Sequence, residues 1–174
     1  MNNDITIGFD LGNKKHKVVG LDVCGKIMYL YDINPNCHFS DESYSSEEIT
    51  DEDGNISYTF TDKQGRTVLT RQMNGTEQLD TYFVYDVKGN LCFVLQPMYQ
   101  TTANLGLYAF QYKYDNRNRC IWKKLPGAEY INYEYNDYDQ LVCLSDSVQR
   151  SVGKETFYAY DKFGRLTQQG EKTV

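Results

Sequence analysis

The sequence predicts an all-β chain: a meander of antiparallel β-hairpins built from tandem repeats, forming a twisted or curved open sheet, with a less regular N-terminal segment. Three observations predict it. First, a short motif recurs: "YDKFGRL" from Tyr160 is matched by "TDKQGRT" from Thr61, "YDVKGNL" from Tyr85, "YDNRNRC" from Tyr114 and "YNDYDQL" from Tyr135. Second, aromatic residues alternate at period two ahead of the motif. Third, helix signals are poor, and only three prolines occur in 174 residues, which suits strands that must keep their ladder donors.

The first 50 residues are read as an irregular β segment, and residues 51–174 as a repeat sheet, the two forming one structural unit. Within the first segment, "LDVCGKIMYL" (Leu21 to Leu30) places Asp22 and Gly25 at the motif spacing and fits a weak further repeat. The stretch Ile7 to Ile27 also resembles the first phosphate hairpin of sugar kinases and actin, with Asp10, Gly12 and Asn13 in the matching positions. That fold needs a second phosphate motif and two large lobes, so an amphipathic hairpin is expected instead. "SDESYSSEEITDEDGN" (Ser40 to Asn55) holds seven carboxylates between Asp41 and Asp53 and no basic residue, and dense like charge predicts a mobile, solvated loop. Its "DEDGNIS" lacks both end ligands of a calcium loop.

The repeats follow in order. Their anchors are Asp62, Asp86, Asp115, Asn136 and Asp161, at spacings of 24, 29, 21 and 25 residues. Three positions on stand Gly65, Gly89, Asn118, Asp139 and Gly164, the residue types that best tolerate positive φ. An Asp or Asn that bonds the backbone two residues on, followed by a left-handed residue, makes a hairpin turn. Before each turn Phe83 and Tyr85, Tyr112 and Tyr114, Tyr133 and Tyr135, and Tyr158 and Tyr160 line one strand face. In the first copy Tyr58 and Phe60 sit one position out of phase. "MNGT" (Met73 to Thr76) and "LPGA" (Leu125 to Ala128) read as further turns, and Pro97 to Leu107 as the one short helical or irregular insertion.

These residues resemble the Rhs/YD-repeat family, whose signature Tyr-Asp-x-x-Gly-Arg-Leu recurs at ~20–30 residue intervals. The resemblance covers about Ile49 to Gln169. It implies exported or cell-surface chains whose repeats wind a β-sheet into a shell around a C-terminal, often toxic, polypeptide. It carries no catalytic residue to this sequence, which matches neither the self-cleaving segment nor a toxin tip.

Composition narrows the function. A net charge of −6 argues against a nucleic-acid partner. No run of ~18 apolar residues offers a membrane span, and the start "MNNDITIGFD" does not read as a signal peptide. Cys24, Cys37, Cys92, Cys120 and Cys143 show no zinc spacing and are read as small buried hydrophobes. His16 and His38 have no nucleophile at a recognisable spacing, so no catalytic residue, metal or cofactor is expected. The expected function is a non-enzymatic structural and interaction module. Its partner would be another polypeptide: a longer repeat protein, a co-encoded effector or a second copy pairing through open sheet edges. The alternative is a carbohydrate-binding module, in which Tyr85, Tyr112, Tyr114, Tyr133, Tyr135, Tyr158 and Tyr160 stack sugar rings.

Overall fold

The computed structural model describes residues 45–174, and the backbone alone of residues 7–10, 16–21, 27–33 and 44. Contacts divide the chain into two compact units, Met1–Pro97 and Met98–Val174.

In the first unit, β1 (Ile7–Asp10), β2 (His16–Leu21) and β3 (Ile27–Ile33) form an antiparallel three-stranded sheet. Asp22, Gly25, Gly12 and Asn13, on which the further repeat and the phosphate hairpin depend, lie outside the described residues, as do Cys24 and Cys37. Five more strands run as an antiparallel meander: β4 (Tyr44–Thr50), β5 (Ile56–Asp62), β6 (Thr67–Asn74), β7 (Glu77–Tyr85) and β8 (Leu91–Leu95).

The solvated loop expected over residues 40–55 is corrected over its described part. Tyr44–Thr50 is a strand in register with β5 from Tyr44↔Asp62 to Thr50↔Ile56. The side chains of residues 45–50 are exposed, so Glu47 and Glu48 remain in water while the backbone pairs. Charge repulsion opposes burial, and an edge strand avoids burial.

Alternation builds the core of this unit. Phe60, Leu69, Tyr82 and Leu95 lie opposite one another across β5–β8 and are all buried, and Val84 and Phe93 form the next rung. Tyr58 and Phe60 look out of phase because they belong to this buried face, whereas Phe83 and Tyr85 lie on the other, half-buried one. The buried face also carries an ion pair: Arg71 and Asp80, directly opposed, meet at 2.7 Å through Nε and again through Nη2. Burial pushes the Tyr82 hydroxyl far up, and that hydroxyl donates to Asp80 at 3.4 Å.

Around the start of the second unit lie two short helices, α1 (Pro97–Thr102) and α2 (Leu105–Tyr108), where a short helical or irregular insertion was expected. Six strands follow as an antiparallel meander: β9 (Ala109–Tyr114), β10 (Cys120–Lys124), β11 (Tyr130–Tyr135), β12 (Leu141–Ser145), β13 (Lys154–Tyr160) and β14 (Leu166–Thr173). A third helix, α3 (Ser147–Ser151), was not expected from the sequence. Asp146 caps it by accepting from the Gln149 amide while the Gln149 side chain bonds back to the Asp146 amide, a complete capping box. The Leu125–Ala128 turn has Gly127 at φ +70°, and the β6–β7 turn centres on Gly75-Thr76, one residue later than the Asn-Gly signal suggested. Among the described residues no helix is long and apolar enough to cross a membrane.

Candidate functional site

The repeat turn is a closed set of hydrogen bonds organised by one carboxylate. In the Asp62 turn, Oδ1 accepts from the amides of Gln64 and Arg66, each at 2.9 Å, and Oδ2 accepts from Arg66 Nε at 2.7 Å. The Asp115 and Asp161 turns repeat this with Arg119 and Arg165, both Nε–Oδ2 at 2.7 Å. In the Asp86 turn Asn90 replaces the arginine and its Nδ2 donates to Oδ2 at 2.8 Å. The fourth-position residues adopt the left-handed backbone: Gly65 +76°, Gly89 +87°, Asn118 +61°, Asp139 +62° and Gly164 +79° in φ.

Two turns extend the pattern. Asn136 stands where the others have Asp, so its Nδ2 is a donor, and the partner is the acceptor Oε1 of Gln140 at 2.8 Å. Donor and acceptor have changed places together, and the ring of bonds survives without charge. Asp51 forms the same turn: Oδ1 takes the Asp53 and Asn55 amides, Oδ2 takes Asn55 Nδ2 at 2.8 Å, and Gly54 has φ +81°. Sequence reasoning missed this copy by reading "DEDGN" for its charge, although Asp-x-x-Gly-Asn repeats Asp86 to Asn90.

The returning strand carries a recurrent bulge. Tyr85 pairs with Leu91 but Val84 with Phe93, so Cys92 is extra, and Val68, Ile121, Val142 and Thr167 are extra at the matching places. The bulge turns side chains from one face to the other just past the turn. The backbone of β2 and β3 shows the same shift between Gly20↔Tyr29 and Leu21↔Ile27.

Successive repeats are then joined by their tyrosines. Tyr85, before the Asp86 turn, donates its hydroxyl to the carbonyl of Thr67, five residues after Asp62, at 2.8 Å. Tyr135 does the same to Cys120 at 3.0 Å, and Tyr160 to Leu141 at 2.8 Å. In two of these junctions the arginine of the earlier turn covers the tyrosine ring of the later one, Arg66 over Tyr85 at 4.9 Å and Arg119 over Tyr135 at 5.0 Å. Arg119 Nη1 also donates to the Asn136 carbonyl and to Asp139, which Arg117 meets as well. One arginine therefore closes its own turn and grips the next.

A family model, Teneurin YD-shell, matches residues 14–172. The chain belongs to that family. Solved structures agree at the level of fold. The Tc holotoxin pore of Photorhabdus luminescens is 12% identical, with a TM-score of 0.54 over 97% of this chain and 13% of that one. The TcdB2-TccC3-TEV structure is 11% identical with a TM-score of 0.53 over the same shares, so the YD-shell chain spans about an eighth of the length of these structures. No curated protein matches it.

As a YD-shell chain, the protein is a structural repeat module, and the contacts of its repeat tyrosines fit that reading. Tyr85, Tyr112, Tyr114, Tyr133, Tyr135, Tyr158 and Tyr160 are all half-buried, and burial pushes the hydroxyls of Tyr85, Tyr112, Tyr133 and Tyr135 up from their ordinary value. Cys92 and Cys143 are buried, and burial pushes both thiols up to about 12, while Cys120 is half-buried. Among the described residues no group of three or more His, Cys, Asp or Glu is placed to hold a metal ion.

Proposed function

We propose that this YD-shell chain is a non-catalytic structural and interaction module, forming part of, or a partner to, a larger repeat shell that encloses or presents a polypeptide. The observation that carries this reading is the junction between repeats: Tyr85, Tyr135 and Tyr160, with Arg66 and Arg119, reach into the adjacent repeat, so one repeat is completed by its neighbour. Repeats of this kind stack in one dimension and present their outer strands to further polypeptide. The Tc holotoxin pore and TcdB2-TccC3-TEV are structures of more than one component, which supports a polypeptide partner here. Three of the tyrosines of the carbohydrate reading, Tyr85, Tyr135 and Tyr160, direct their hydroxyls to strand carbonyls, which favours the structural reading over it.

The test is affinity capture of the tagged full chain from its host, read by mass spectrometry, together with sedimentation of the pure protein. A longer repeat polypeptide or a co-encoded effector recovered at a defined ratio is the expected result. A chain that stays monomeric at high micromolar concentration and recovers no polypeptide would overturn the proposal.

A further inference from the structure

Asn74-Gly75, at the tip of the β6–β7 hairpin, is the one Asn-Gly pair in the sequence, and its turn leaves both reacting groups open. We propose that Asn74 is a self-modification site, at which the Gly75 backbone nitrogen displaces the side-chain amide and leaves aspartate or isoaspartate in its place. This goes beyond the reading of the chain as a structural module and does not rest on it.

The hairpin geometry carries the proposal. Gly75 and Thr76 alone join β6 to β7, and Asn74 faces Glu77 as the outermost rung. Gly75 has φ +62° and Thr76 is not left-handed, which makes a type II′ turn with glycine first. Among the described residues the Gly75 N–H donates to nothing, and the Asn74 side chain has no partner. Residues 74–78 are exposed, and a Cβ built on Gly75 would meet nothing within 4 Å. The nucleophilic nitrogen is therefore uncovered, and glycine adds no side chain to shield it.

The step balances with water as its co-reactant. The Gly75 nitrogen bonds to Asn74 Cγ, the Cγ–Nδ2 bond breaks, and Nδ2 leaves as ammonia with the Gly75 amide proton. The product is a five-membered imide. Water opens it at Cγ to give aspartate, or at the α-carbonyl to give isoaspartate, whose backbone runs through Cβ and Cγ. Either product sets a carboxylate opposite Glu77, a like-charged cross-strand pair, and isoaspartate also lengthens the backbone of the ladder. Modification therefore loosens the tip of the hairpin.

The adjacent β4–β5 hairpin supplies the contrast. Asp53-Gly54 can close the same imide with loss of water, but there the Gly54 amide donates to the Asp51 carbonyl at 3.0 Å. The Asp53 amide is held as well, on Asp51 Oδ1 at 3.0 Å. The repeat turn ties up its glycine nitrogen, and the type II′ turn does not. Ring closure at Asn74 needs only the outermost rung to open. That disturbs no buried residue, because full burial in this hairpin begins further in, at Arg71↔Asp80.

The test is incubation of the purified full chain in neutral buffer, folded and in denaturant, read by tryptic mass spectrometry and enzymatic isoaspartate labelling. The peptide over residues 72–88, whose only asparagine is Asn74, is expected to gain about one mass unit and to carry isoaspartate. Its rate in the folded chain should stay within about tenfold of that in denaturant, the cost of opening one exposed rung. Asp53 should isomerise in denaturant and be protected in the folded chain. Asn74→Ser should abolish the mass gain, and Asn74→Asp should lower the Tm at neutral pH. A folded chain whose Asn74 stays amidated while the denatured chain is modified would overturn the proposal. So would isoaspartate that forms at Asp53 as readily in the folded chain as in denaturant, because the turn bonds would then protect nothing.

Discussion

At Gly164 two separate demands fall on one residue. Its φ of +79° is a conformation that side-chain-bearing residues rarely adopt, and a Cβ built there would sit 3.1 Å from Gln140 Nε2 of the preceding turn. Gly89 shares the first demand, at φ +87°, but its nearest atom is Arg66 Nη1 at 3.8 Å, an ordinary contact. Gly164→Val is therefore expected to destabilise by about 1–3 kcal/mol, and Gly89→Val by less, because only the first adds crowding to backbone strain. Denaturant titration of both variants checks this, and a Gly164→Val protein as stable as its parent would refute the turn assignment. The turn was legible at this scale because Asp and Gly encode it locally, within five residues. The hydroxyl of Tyr160 on the Leu141 carbonyl was not, because nineteen residues and a bulged register separate the two. Nor was the Arg71–Asp80 pair, which exists only once β6 and β7 are in register.

At the scale of the turn as an element, the carboxylates link stability to pH. Amide and side-chain bonds from Arg119 and Arg165 hold Asp115 and Asp161 below the ordinary aspartate value of 3.8, and Asn55 does so for Asp51. For Asp62 burial acts in the opposite sense and is outweighed by the Arg66 bonds. A carboxyl lowered by folding contributes stability that is fully present above 3.8 and is lost as pH falls through its folded value. The Asp51, Asp62, Asp115 and Asp161 turns should loosen in acid, unlike the Asn136 turn, whose pairing with Gln140 carries no charge to lose. Comparing the native chain with Asp161→Asn should show a Tm difference at neutral pH that narrows below 3.8. A difference constant with pH would mean that the charge at Asp161 contributes nothing. Element-level reading failed at two places for different reasons. Counting carboxylates hid the Asp51 turn, although its geometry depends on one aspartate and one glycine rather than on net charge. Helix α3 is five residues long, too short for periodicity to register, and only the Asp146–Gln149 capping pair marked it.

At the scale of the whole molecule, burial is distributed unevenly and should set the order of opening. The unit Met1–Pro97 holds Leu69 and Leu95 at 0% exposure, with Tyr82 at 1% and Val68 and Val84 at 2%. In the unit Met98–Val174, Tyr99, Ala109 and Cys143 are the buried hydrophobic residues, and most strand positions are half-buried. β14 is paired with β13 from Lys154↔Thr173 to Tyr160↔Leu166, yet it buries almost nothing on either face. At Gly170 the Phe157 ring fills the space a side chain would take, with a built Cβ only 3.0 Å from the ring. Backbone pairing without side-chain burial gives little local stability, and stacked repeats open from their outer members inward. Hydrogen exchange of the unliganded full chain, read by mass spectrometry, should therefore show β14 exchanging first and β6, β7 and β8 last. Protection of β14 equal to that of β7 would mean that the repeats open as one cooperative block rather than neighbour by neighbour. The exposed last turn would then be as fixed in the free protein as the core of the first unit.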